Sequence, residues 1–330
     1  MTYIKDLQQI YARMFDMDGN PRDDEFQISE DSLEGSSKSN AVAMNGNGEF
    51  VVTWNGDRHG RLQEGEHLIL MKRFNSDGQP KDIDPVKVNT AFELANQFDL
   101  INSRPSVAIN AKGGCAVSWS TRYVLFSNVM TIGQGFITQH MVRRYNQFGL
   151  PVGPAKKVNA VGYISFLSPE GRGLSDAGPV VAMNEKGNFA VSHYRYNYHY
   201  GVGFEVYHDA AYRFFSKTGI AQSTDRKIDI FTQPDSLVNA MDSKGNLVMG
   251  WTGCETNEAC DGNEAIYLMQ VSRTSPRSQQ TVKVTDNAPD DSTENASGGF
   301  YPALDVSEDG RVVVIWHNNE NLLGRIYLIQ

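Results

Sequence analysis

The chain has 330 residues, of which 40% are hydrophobic, 10% aromatic and 21% charged, with a formal net charge of −9. That length can bury a large core in one or two domains, and the apolar content sets the chain apart from disordered sequences. The acidic balance and scattered basic residues exclude the basic stripe of a nucleic-acid binder, and no apolar run approaches the roughly 18 residues of a membrane-spanning helix.

The first segment, MTYIKDLQQIYARMF, lacks the basic-then-apolar layout of a signal peptide, so the chain is expected either to be intracellular or to have had a leader removed. From Ile10 to Ser29 the sequence reads as two strands around a Gly/Pro turn, IYARMFDMDGNPRDDEFQIS. The next segment, SNAVAMNGNGEFVVTW (Ser39–Trp54), is two short apolar runs around an Asx/Gly turn, closed by an aromatic. This hairpin returns as Arg104–Trp119, Gly178–His193, Ser236–Trp251 and Tyr301–Trp316. Gly48, Gly113, Gly187, Gly245 and Gly310 occupy the turn position where a positive φ costs least. With hairpin strands named a and b, a second motif follows each b. It is a third strand c, a Gly/Pro turn and a fourth strand d ending near Val-Asn, as in Leu68–Asn89 and His140–Asn159. Weaker forms are Ala210–Ile230 and Ile266–Thr285, and the chain ends on one more c-like strand, Gly324–Gln330.

Four antiparallel strands per repeat predict an all-β fold, a β-propeller of four-stranded blades, occupying residues 1–330 as one domain. The chain starts and stops in mid-repeat, so N- and C-terminal strands are expected to close the ring. Five a–b hairpins favour five blades, with six as the alternative because there is one c-like strand too many. In this scheme the a–b and c–d turns share one face. The b–c and d–a connections share the other, and these are long: Asn55–Glu66, Thr90–Ser103, Ser120–Gln139, Ala160–Ala177 and Tyr194–Asp209. Long loops on one face of a rigid scaffold are where binding concentrates.

That face supplies the candidate ligand contacts Tyr123, His193, Tyr194, Tyr196, Tyr198, His199 and Tyr200, since tyrosine offers a flat apolar ring with a polar tip. Four copies place Trp six residues after the turn glycine, at 54, 119, 251 and 316, whereas the third has His193. Asn239 and Asp305 interrupt the apolar a strands of the last two copies and are candidates facing a central channel. Cys115 sits inside a b strand as a core thiol, whereas Cys254 and Cys260 bracket a loop and are a candidate disulfide. Asp16, Asp18, Asn20 and Asp23 suggest calcium only weakly, without the EF-hand frame; a plain turn is expected, with no cofactor and no metal. No GxSxG, HExxH or phosphate-loop motif is present, which leans against an enzyme.

The pattern P-x-V-A-M-x-x-x-G-x-F-V-V-x-W followed by R-x-F/Y-x-x-x-G-x-P resembles repeats of large bacterial secreted and cell-surface proteins. The resemblance covers nearly the whole chain and implies propeller blades of adhesive or unassigned role, outside the cell or on its surface; copies four and five depart most. The expected function is therefore a binding or adhesion propeller that engages glycan or protein partners through its long loops. The alternatives are a glycan hydrolase or lyase at the loop-face mouth of the channel, and a structural subunit or spacer in a larger assembly.

Overall fold

The computed structural model of the protein describes every residue except 6–8, 30–38, 58–66, 90–99, 129–132, 160–162, 167–177, 202, 229–230, 233–235, 255–264, 275–278, 286–301, 308, 319–320 and 329–330. Its regular elements are all strands, in six antiparallel sheets that follow one another along the chain. Sheet I holds β1 (Thr2–Lys5), β2 (Gln9–Ala12) and β3 (Phe26–Gln27); sheet II holds β4 (Asn40–Met44), β5 (Phe50–Asp57), β6 (His67–Phe74) and β7 (Val86–Lys87). Sheet III comprises β8 (Leu100–Ile109), β9 (Cys115–Asn128), β10 (Gly133–Tyr145), β11 (Lys156–Lys157) and β12 (Tyr163–Phe166), the last two both pairing with β10. Sheet IV comprises β13 (Val180–Met183), β14 (Phe189–Gly201), β15 (Gly203–Phe215) and β16 (Arg226–Ile228). In sheet V, β17 (Phe231–Thr232) and β18 (Val238–Met241) both pair with β19 (Leu247–Cys254), which continues to β20 (Ala265–Val271) and β21 (Gln279–Lys283). Sheet VI has β22 (Ala303–Val306), β23 (Arg311–Asn318) and β24 (Asn321–Leu328).

Two findings differ from the sequence expectation. No strand pairing among the described residues joins the two ends of the chain: β1 pairs with β2 along Thr2–Lys5, and the surplus c strand lies in a three-stranded sheet of its own. And two of the long b–c connections are strands, not loops. β9 and β10 pair out to Asn128 and Gly133, and β14 and β15 out to Gly201 and Gly203.

One local device makes nine of the turns. In each, an Asn, Asp or Ser side-chain oxygen accepts the backbone N–H four residues on, as at Asn45, Asn75, Asn110 and Asn146. The same bond recurs at Asp16, Asn184, Ser216, Asp242 and Ser307. The glycine three residues on donates to the first residue's carbonyl, and its φ lies between 77° and 91°. Only glycine adopts that left-handed conformation without strain, which is why the turn glycines recur.

The Val-Asn ending of the d strands has an equally specific role. Val88 N–H donates to the Ile69 carbonyl (2.8 Å), and Asn89 Oδ1 accepts from Ile69 N (2.9 Å). Val158 and Asn159 clamp His140 in the same way, Val284 and Thr285 clamp Ile266, and Ile28 and Ser29 clamp Ile10. The outermost strand is thus fastened at one residue of strand c even where its ladder is only two residues long.

Alternation does the rest. Successive strand residues point to opposite faces, and both faces of an interior sheet are covered by its neighbours. Five apolar clusters fill the five interfaces between consecutive sheets. At four of them the b-strand Trp shares a cluster with an aliphatic c-strand residue of the preceding sheet: Trp54 with Ile10, Trp119 with Ile69, Trp251 with Ala210, Trp316 with Ile266. Arginines reinforce three interfaces by reaching back to d-strand carbonyls: Arg143 to Val88 (2.9 Å), Arg213 to Lys157 (3.1 Å) and Arg325 to Val284.

The turn device gives a direct test. Asn110 is 7% exposed, and its Oδ1 accepts both Lys112 N and Gly114 N at 3.0 Å. Asn110→Ala is expected to lower stability by about 1–3 kcal/mol in urea titration, whereas Asn110→Asp, which keeps the acceptor as Asp242 does in its own turn, loses less.

Candidate functional site

The a strands of five sheets converge on one cavity. Met44, Ile109, Met183, Met241 and Val306, each near the end of its strand, line it together with Asn45, Asn110, Asn184, Ser243 and two carboxylates, Glu185 and Asp305. The cavity holds about 200 Å³. It lies where strand a runs into the a–b turn, so it opens on the turn face and not on the face of the long connections. The asparagines there are already engaged as turn caps, which leaves Glu185 and Asp305, both exposed, as its ionisable groups. Asp305 Oδ1 accepts from Val306 N at 2.8 Å, which holds the carboxyl close to its own backbone.

The other candidates divide sharply. Asn239 does not reach the cavity: its Nδ2 donates to the Val180 carbonyl (2.9 Å) and to Ser192 Oγ (2.7 Å), stitching sheet V to sheet IV. Tyr194 is buried, with its hydroxyl 3.2 Å from Ser236 Oγ, in the cluster between sheets IV and V. Tyr123 lies on β9, and Tyr196, Tyr198, His199 and Tyr200 lie on the outer half of β14; their side chains fall outside the described residues. So do the Cys254 side chain and Cys260, and with them the candidate disulfide. At the N-terminal turn, Asp16 Oδ1 accepts from Asp18 N (3.0 Å) and Asn20 N (2.8 Å), and these bonds hold its carboxyl below the ordinary carboxylate range. It caps its turn as the other eight caps do, and no cluster of metal-binding side chains occurs among the described residues.

His193 is fully buried and belongs to a polar cluster between sheets III and IV. Its Nε2 donates to Asp225 Oδ1 at 3.0 Å, and its Nδ1 lies 3.2 Å from the Tyr194 carbonyl. The ring of His140, also buried, stands 4.8 Å from it centroid to centroid. Ser120 Oγ is 3.1 Å from His140 Nδ1. Burial, then the neighbouring His193, pushes the His140 imidazole well below its ordinary value, while a bond to the Tyr194 carbonyl opposes the shift. Sequence reasoning singled out His193 and missed His140, Asp225 and Glu185. For His140 a signal existed: it stands where the other c strands carry Ile10, Ile69, Ala210 or Ile266.

No family model matches the sequence, and no curated protein matches it. Solved structures are similar in architecture. A protein of unknown function from Dyadobacter fermentans aligns at 12% identity and TM-score 0.49, over 87% of this chain and 77% of the other. A GH93 α-L-arabinofuranosidase of Fusarium graminearum, in complex with arabinobiose, aligns at 10% and 0.48 over 97% and 84%. The polysaccharide lyase Uly1 aligns at 10% and 0.49 over 96% and 65%.

The thiol of Cys115 is fully buried, and burial pushes its pKa up to about 12, so it is the inert core group expected. Native protein at pH 8 should leave Cys115 unalkylated by iodoacetamide while denatured protein modifies it fully, as read by peptide mass spectrometry.

Proposed function

We propose that the protein is a β-propeller with one blade per sheet, the first and last blades three-stranded, and that it acts on glycans as a hydrolase or lyase. The observation that carries this reading is the axial cavity. Inner strands from five sheets bring Glu185 and Asp305, from two different sheets, to one opening on the turn face. Two carboxylates flanking a sugar linkage are the minimal equipment for acid–base cleavage of a glycosidic bond, and a carboxylate can equally serve as the base of a lyase. The likeness to the arabinofuranosidase and the lyase is one of architecture, and the reading rests on the cavity instead. Work on extracellular polysaccharide fits an exported or surface-attached protein, and that placement belongs to the same proposal, as does the absence of any cofactor.

A second reading is favoured by a different observation. The β9–β10 and β14–β15 hairpins extend from adjacent sheets, and the second carries Tyr196, Tyr198 and Tyr200 at every other position beyond the buried Tyr194. Such a projecting pair suits adhesion to a glycan or protein surface without turnover, through the residues first singled out on β9 and β14.

The two readings separate in one experiment. Purified protein is incubated with a polysaccharide panel that includes arabinan, and reducing ends and unsaturated products are followed. The cleavage reading expects turnover that falls at least about 100-fold in Asp305→Asn or Glu185→Gln, with the folding transition unchanged because both groups are exposed. Turnover absent across the panel, together with glycan-array binding lost when Tyr196, Tyr198 and Tyr200 become alanine, would replace it by the adhesion reading.

A further inference from the structure

The repeat is broken at both members of a single contact. At four of the five sheet interfaces a b-strand Trp meets an aliphatic c-strand residue, but between sheets III and IV the Trp position holds His193 and the aliphatic position holds His140. Either exchange alone would place an imidazole against an apolar surface. Together they build a satisfied cluster: Ser120 and the Tyr194 carbonyl for His140, Asp225 and the same carbonyl for His193. The cluster also has a distinctive address. His193, across from Ala211, is the first β14 residue beyond the β13 ladder, at the root of the β14–β15 hairpin, and His140, across from Ser120, sits on β10 between the ladders of β11 and β12.

We propose that the His140–His193 pair is an acid-released latch between sheets III and IV, which holds the root of the β14–β15 hairpin against β10 at neutral pH and frees it in acid. Nε2 of His193 donates to Asp225, and its Nδ1 lies against the Tyr194 carbonyl. His140 is the neutral partner, accepting from Ser120 and donating to Tyr194. A proton added to His140 converts Nδ1 from acceptor to donor and buries a cation in a ring 4.8 Å from that of His193. Among the described residues, the ionisable groups that face His140 are His193 on β14 and, beyond it, Asp225 ahead of β16. Ser120 on β9 and Thr138 and Gln139 on β10 are neutral.

The sign follows from linkage. His140 has a lowered value in the folded state, so an open state that lets it take its ordinary value near 6.5 binds the extra proton. The latch is at full strength above about pH 6.5 and weakens progressively below it, by about tenfold in the opening equilibrium at pH 5.5. The consequence for ligand capture rests on the hairpins being a binding face. The opening itself does not, and it is measured without any ligand.

Amide hydrogen exchange on the whole chain at pH 7.5 and 5.5, corrected for intrinsic rates, is the test. Protection of the β10 and β14 amides flanking His140 and His193 should fall about tenfold in acid while β5 and β6 of sheet II hold theirs. His140→Gln keeps hydrogen-bonding capacity and cannot titrate, so it should remove the acid effect; His140→Ile, which restores the residue of the other interfaces, is a second non-titrating form should the first fold poorly. An equal acid loss in the wild type and either variant overturns the latch, and so does a loss spread uniformly over all six sheets.

Discussion

Every sheet but the first and last must bury two faces, and that requirement organises the molecule. A single antiparallel sheet with one wet face would carry alternating apolar and polar residues. Here the b and c strands of the interior sheets are apolar on both sides: Val51 packs toward sheet III while Phe50, Val52 and Trp54 pack toward sheet I. The sheets can therefore only stack face to face. At four interfaces the b-strand Trp and a c-strand aliphatic residue share the cluster between sheets, and the back-reaching arginines hold the d edge of the preceding sheet. Hydrogen bonding inside each sheet is local. The long-range information lies in which face meets which neighbour.

This explains where regularity is strict and where it lapses. The turn caps and the d-strand clamps are strict because each satisfies backbone N–H groups that few other residue types could satisfy. The ends lapse because no described sheet covers their outer faces. On sheet VI the outward positions Val313 and Ile326 are 42% and 71% exposed, yet the equivalent Val248 of sheet V is fully covered by sheet VI. The exposure thus follows from position in the stack and requires no special composition. It also shows that the chain keeps the apolar blade pattern to its last strand.

Much of this was legible in the sequence, for a physical reason. A turn glycine with positive φ, a Trp at a fixed offset and a buried Cys115 each answer to a local geometric need, so they recur at readable positions. The strand character of Tyr194–Tyr200 was readable too, since Tyr at every second position is a strand period. Its aromatic density, and the absence of a turn cap like those of the a–b hairpins, made the segment read as a loop. The structural roles of Asn239 and the buried Tyr194 were not readable, because their partners Ser192 and Ser236 lie 47 and 42 residues away and are brought near only by stacking. The first strand, Thr2–Lys5, escaped notice because its partner β2 was counted as the start of the fold.

The site was least legible where it depends on convergence. Glu185 is an unremarkable turn residue, the one after the cap Asn184, at the position that holds Gly46, Ala111 and Ser243 in other turns. It shares a cavity with Asp305 only because five inner strands end at one axis. The His140–His193 contact obeys the same logic: two residues 53 positions apart, each modest as a departure from the repeat, gain meaning from facing one another. In a stacked-sheet protein the informative comparison is therefore between equivalent interfaces and not between equivalent strands. A change confined to one strand reports packing tolerance. A matched change on both sides of one interface points to a role for the contact itself, and here it falls between sheets III and IV, at the root of the β14–β15 hairpin.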